Sequence, residues 1–233
     1  TGTPSGVETI SISPASITSI FNASGTAMPA NQTSGAKTLN DKLPPSITGV
    51  SLASDNSTIA VTMSEAVYNS NVGNGALQVS DFAFSISGGT ATLSSVTPTS
   101  ISVSENVYTL GINLSGTSNG LDTLFVNPLD DSIFDLADNE ADTLQNNNSS
   151  LLNDLTAPTV ISVSSSTADG LYKIGDEISI EATFSESVVV NSALFQEDGT
   201  GRPQLTLETG SSDQVIKYIS GSGGAVLTWS YTV

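Results

Sequence analysis

Apolar and polar positions alternate in short runs along most of the chain, and the runs are rich in Val, Ile, Thr and Ser. Alternation over a few residues marks a half-buried β-strand, because successive side chains point to opposite faces. Between residues 42 and 154 the runs predict seven strands. Ile47 to Leu52 predicts the first, Asp55-Asn56-Ser57 a turn, and Ile59, Val61 and Met63 the inward face of the second. Phe82, Phe84 and Ile86 predict a third strand ending at Gly88-Gly89, and Ala91 to Val96 a fourth. Val107 to Leu114 predicts a fifth, with Tyr108, Leu110, Ile112 and Leu114 on one face. Leu121 to Val126 and a weaker run through Leu151-Leu152 complete the set, and no stretch shows a helical period. Seven short strands over about 100 residues predict an immunoglobulin-like β-sandwich, without the Cys and Trp pattern of antibody domains. Trp229 and Tyr231 fall on a later strand and read as core.

The pattern also repeats. Leu39-Asn40-Asp41 followed by Pro45 recurs 113 residues later as Leu152-Asn153-Asp154 followed by Pro158. Ser19-Ile20-Phe21 recurs as Ser132-Ile133-Phe134 at the same shift. The stretch from Gly6 to Ile10, with Pro14, matches Gly120 to Leu124, with Pro128, one residue out of phase. Ser64-Glu65-Ala66-Val67 matches Ser185-Glu186-Ser187-Val188 at a shift of 121, which implies an eight-residue insertion in the later copy. A period of 113 suits a single domain. The chain therefore divides into the C-terminal part of one repeat (1–41), a complete repeat (42–154) and the N-terminal part of a third (155–233). Two explanations of the partial copies stay open. Either the chain is a window on a longer array, or the end pieces complete each other head to tail and build a filament. Pro44-Pro45 and Pro158 predict extended, semi-rigid junctions that arrange the sandwiches end to end.

Composition narrows the chemistry. The 233 residues hold 23 acids against 5 bases, a formal charge of −18, which repels nucleic acid and anionic membrane. There is no His and no Cys, so disulfides, thiol catalysis, Cys/His zinc sites and His-dependent triads are excluded. No apolar run approaches the ~20 residues of a membrane helix, no signal peptide is read at the start, and direct membrane insertion is not expected. Asp130/Asp131 and Glu197/Asp198 are nominal carboxylate pairs of the glycosidase kind, but neighbouring acids in a turn are ordinarily solvated, and the expectation is that the chain is not an enzyme. The only Lys of the middle repeat, Lys42, sits in a linker, which argues against a buried isopeptide cross-link.

The Asn-Asp…Pro linkers, the Ser-Glu-x-Val strand end and the Asp135-Leu136-Ala137-Asp138-Asn139 turn resemble bacterial Ig-like repeats. The stretch with Lys173-Ile174-Gly175-Asp176, Phe184-Ser185-Glu186 and Pro203-Gln204-Leu205-Thr206-Leu207 looks like one widespread variety, and the middle repeat like a second. Mixed arrays of this kind are similar to the giant mobile adhesins of gliding Bacteroidota, exported by the type 9 secretion route. The resemblance implies an extracellular, cell-surface stalk segment that extends a binding tip, with no catalytic residues. Its partners would be neighbouring repeats of the same chain, and surface polysaccharide or other cell-surface proteins. Two alternatives remain: a glycan- or surface-binding module acting through its own loops, and an accessory module of a secreted enzyme. A glycan reader needs exposed aromatics, and outside the clear strands the main ones are Tyr68 and Tyr172.

The acids of the complete repeat gather at Asp130, Asp131, Asp135, Asp138, Glu140, Asp142 and Asp154. Loops rich in Asp, Asn and carbonyls supply the six to eight oxygens that Ca2+ takes. Strand order carries Glu65 and the 135–142 turn to the pole where Asp41 arrives. Asp41, Glu65 and Asp138, with Asn139 or a carbonyl, are then candidate Ca2+ ligands at an inter-repeat junction, with Asp135 beside them. Asp41 recurs as Asp154 and Glu65 as Glu186, giving a second candidate junction. The acidic turn does not recur, since Asn22, Gly25 and Pro29 stand where Asp135, Asp138 and Asp142 do. The plain alternative is that Asn-Asp caps a turn before Pro while surface carboxylates keep the chain soluble.

Overall fold

A computed structural model describes residues 2–197 and 200–233; Asp198, of the nominal Glu197/Asp198 pair, lies outside the described residues. The first strands in chain order are β1 (Thr9–Ile10), β2 (Lys37–Thr38), β3 (Ile47–Leu52), β4 (Thr58–Met63) and β5 (Phe82–Ser87). There follow β6 (Thr92–Leu93), β7 (Ile101–Ser104), β8 (Val107–Gly111), β9 (Leu114–Ser115), β10 (Thr123–Pro128) and β11 (Ser149–Leu151). The last are β12 (Val160–Ser165), β13 (Glu177–Val188), β14 (Gln204–Leu207), β15 (Gln214–Ser220) and β16 (Gly224–Thr232). Helical structure among the described residues is confined to 3-10 turns at Val79–Asp81 and Ser192–Leu194. The protein is all-β, with several sheets in an arrangement consistent with a β-sandwich. No helix among the described residues is long and apolar enough to cross a membrane.

The chain forms two compact units, Thr1–Thr156 and Ala157–Val233. In the first, one sheet has the order β3-β4-β8-β7 and another β11-β10-β5, all antiparallel. Along β4 and β10 every second residue is buried, so Ile59, Val61 and Met63 from one sheet and Leu124 and Val126 from the other enter a shared core. Phe82, Phe84, Tyr108 and Leu110 join it, and burying side chains of this size contributes about 1.5–3 kcal/mol each. In the second unit the order is β12-β13-β16-β15-β14. Its core holds Ile180, Ala182, Ile216, Tyr218, Leu227 and Trp229. Trp229 is buried as expected, and its indole N–H donates to the Pro203 carbonyl at 3.2 Å. Tyr218 meets the Trp229 ring edge-on at 6.2 Å between centroids.

The strands differ from the sequence expectation in three places. The run Val107 to Leu114 divides into β8 and β9, which pair in different sheets. The break follows Gly111, where a Cβ would lie 2.4 Å from Thr99 Oγ1, so the chain passes too close to the 99–100 segment for a side chain. The run at 91–96 yields only the two-residue β6. Strand β7 has no counterpart in the sequence reading, because three of its four residues are exposed and its alternation carries little contrast.

Several local structures occur twice at the repeat spacings. Asn22 N–H donates to the Thr26 carbonyl at 3.0 Å, and Asp135 N–H to the Asn139 carbonyl at 3.0 Å. Phe21 bridges Ala27 as Phe134 bridges Glu140. The pairs Thr9↔Thr38 and Ile10↔Lys37 match Thr123↔Leu151 and Leu124↔Ser150, one residue out of phase on the first strand only. Ser46 and Ser64 exchange two hydrogen bonds at 3.0 and 2.8 Å, and Thr159 and Ser185 exchange the same two at 2.9 and 2.8 Å. The register slip between Ile47 and Gly49 in β3 returns between Val160 and Ser162 in β12.

Candidate functional site

Residue 41 is placed by a tight approach of two chain segments. Lys42 N–H donates to the Pro4 carbonyl at 2.8 Å, and the Asp41 carboxylate accepts Leu43 N–H at 2.9 Å. Gly6, at φ +78°, lies against the Asp41 side chain, and a Cβ there would come 3.3 Å from the Asp41 Cβ. A left-handed backbone at this packing distance requires glycine. The arrangement recurs at 154: Leu155 N–H donates to Ser118 O at 2.9 Å, Asp154 accepts Thr156 N–H at 2.9 Å, and Gly120 (φ +74°) faces Asp154.

Asp41, Glu65 and Asp135 come together there, one carboxylate oxygen from each within 4.8 Å of the others. Asp135 is fully buried, and its turn holds it. Oδ1 accepts Ala137 N–H at 2.7 Å and Asn139 N–H at 2.8 Å, while Oδ2 accepts the Asn139 side-chain amide at 2.7 Å. Glu65 follows β4 and is half-buried. Its carboxyl is pushed above the ordinary glutamate range, chiefly by burial and then by the charges of Asp135 and Asp41. Two of the three residues meeting here, Asp41 and Glu65, belong to the core set Asp41, Glu65 and Asp138 read from the sequence. The third is Asp135. Asp138 is exposed and supplies the left-handed turn position, at φ +66°. Asn139 acts as a donor that orients Asp135. Asp154 lies in the first unit and Glu186 on β13 of the second.

The three carboxylates are hard oxygen donors of the kind Ca2+ takes, and they supply three of its six to eight ligands. Without a cation they repel one another, which is the electrostatic part of the Glu65 shift. No catalytic geometry accompanies them. Tyr68, a candidate glycan contact, is half-buried, and its backbone exchanges two 2.8 Å hydrogen bonds with Phe134. The Tyr172 hydroxyl donates to the Ala168 carbonyl.

Sequence reasoning missed the polar clamp that closes the complete sandwich. Asn56 is buried at φ +59°; its Oδ1 accepts Asn153 N–H at 2.9 Å and its amide donates to the Asn153 carbonyl at 2.9 Å. The Asn153 amide in turn donates to Ala53 O at 3.0 Å. The Asn of the Asn-Asp pair therefore ties the end of the repeat to its first turn. The Asp55-Asn56-Ser57 turn carried the signal, since Asn is one of the few residues that tolerates this backbone. No protein-family model matches the chain, and no curated protein matches it.

Proposed function

We propose that this protein is a structural stalk segment of a large, repetitive bacterial cell-surface adhesin, built from immunoglobulin-like sandwiches in tandem and holding a binding tip away from the cell. The observation that carries this reading is the recurrence of one hydrogen-bonded junction, Gly6/Asp41 and Gly120/Asp154, 113 or 114 residues apart. A tether needs a module that can be added without redesign, each copy touching mainly its neighbours. The division into 1–41, 42–154 and 155–233, the extracellular location and the non-catalytic role all belong to the same proposal. The two chemically distinctive features at residue 41, the Asp41 turn and the acidic cluster, serve the junction. Ca2+ held by Asp41, Glu65 and Asp135 would fix the end of one repeat onto the next.

A binding assay separates tether from reader. The 233-residue chain, immobilised and challenged with a panel of polysaccharides, is expected to show no saturable binding; saturable binding lost on changing Tyr172 would favour the loop-reading module. The metal is tested by melting in Ca2+ against chelator. At about 100 times its Kd a native-state ligand stabilises by about 2.7 kcal/mol, so the first unit should melt higher in Ca2+. Asp41→Asn should abolish that rise, and an unchanged melting temperature in the unsubstituted chain would reject the site.

A further inference from the structure

The segment before residue 42 presents apolar side chains whose counterparts in the complete repeat are sealed inside a sandwich. Ile12 is 67 % exposed, whereas Val126, at its repeat position, is 0 %; Phe21 is 51 % exposed against 7 % for Phe134. Ile10, Ile20 and Leu39 are exposed, while Leu124, Ile133 and Leu152 are fully or almost fully buried. The unpaired surface extends to the backbone. Strand β10 pairs with β11 on one side and β5 on the other, but β1 pairs only with β2. A lone two-stranded hairpin is marginal in water, and its free edge is a template for another strand.

The second unit shows the reciprocal deficit. Val160 is 56 % exposed, and Ile47, at its repeat position, is 2 %. In the complete repeat Ile47 N–H donates to Gln145 Oε1 at 2.8 Å. Gln32 stands 113 residues before Gln145 and is exposed. Strand β14, which like β5 follows a 3-10 turn, pairs only with β15 and ends its sheet.

We infer that residues 1–41 of one copy complete the sandwich begun by residues 155–233 of a second copy, head to tail. The complete repeat specifies the occupant. Residues 116–154 are covered there by β3, β4, β5 and β8, and residues 155–233 carry the counterparts of β3 and β4 as β12 and β13, with β16 hydrogen-bonded to β13 as β8 is to β4. In this pairing Ile12 enters the core of the neighbour, the Gln32 carbonyl oxygen accepts Val160 N–H, and β1 adds to the β14 edge. Charge does not forbid it. Residues 42–154 hold twelve acids and one base, whereas residues 1–41 hold two acids and one base, so the apolar face is not guarded by charge. The contact joins different surfaces, so it adds copies without closing. It rests on the repeat reading behind the proposed function and is indifferent to whether the array serves as a tether.

Sedimentation of the 233-residue chain over a range of concentrations tests it. The mass should rise from 23.7 kDa in steps of one chain. Ile12→Asp, a change at an exposed position, and Val160→Asp should each hold the chain at one copy with an unchanged circular-dichroism spectrum. Mixing the two variants restores one intact donor face and one intact acceptor face per pair, so the mixture should form dimers and stop there. A chain that stays at 23.7 kDa at every concentration overturns the inference. So does association that survives both substitutions, or a mixture that yields no dimer.

Discussion

Glu65 is the side chain on which the junction's electrostatics turn. Its proton is held more tightly in the folded state than in the unfolded chain, because burial and the Asp135 and Asp41 charges oppose ionisation. Where a folded-state pKa is raised, the native state binds more protons, so stability is greatest below the unfolded value and falls as pH rises through the raised one. In chelator, the first unit should therefore lose stability as pH climbs from about 4.5 upward through that window. Glu65→Gln should remove this slope and raise the melting temperature at neutral pH, as read by thermal unfolding at several pH values. Asp135 behaves oppositely. Its three hydrogen bonds are made inside the fold, and Asp135→Ala strands the Ala137 and Asn139 donors, costing about 1–3 kcal/mol in a urea titration. The pole was legible in the sequence; which acid turns inward was not. Asp135 and Asp138 lie on one short turn, and composition does not distinguish them. The repeat did carry a signal: Gly25, at φ +81°, stands where Asp138 does, and a glycine in the matching place marks a left-handed position pointing outward.

At the scale of elements, alternation predicted the strands whose two faces differ most, such as β4 and β10 with their strict half-burial. It failed at β7, an edge strand with three exposed residues, where both faces meet similar surroundings. It also joined β8 to β9 across Gly111, because period alone cannot reveal a change of sheet. Closure of the sandwich depends on the Asn56–Asn153 clamp. Asn153→Ala removes the amide bonds to Ala53 and Asn56 at an exposed-to-buried boundary, and should lower the stability of the first unit by about 1–2 kcal/mol without changing the strand content seen by circular dichroism. Gly89→Ala is expected to cost more than Asn153→Ala. Its Cβ would sit 2.2 Å from the Asp122 carboxylate, which is buried and accepts Ala91 N–H at 3.1 Å.

At the scale of the whole molecule, periodicity was the most informative property of the sequence, and it is mirrored in paired hydrogen bonds at shifts of 113, 114 and 121 residues. Those shifts were readable because the junction uses residues with special backbone demands, Gly, Asn and Pro, that few others can replace. The metal content and the partners were not readable, since carboxylates keep a surface soluble as well as they hold a cation. What a tether requires is that its modules yield one at a time under load. Pulling the chain by its two ends in a single-molecule force experiment addresses this directly. If residues 42–154 are a mechanical unit, their unfolding should release a discrete length of about 380 Å, the contour of a 113-residue segment at about 3.4 Å per residue. Smooth lengthening without a step, or one release spanning all 233 residues, would contradict it.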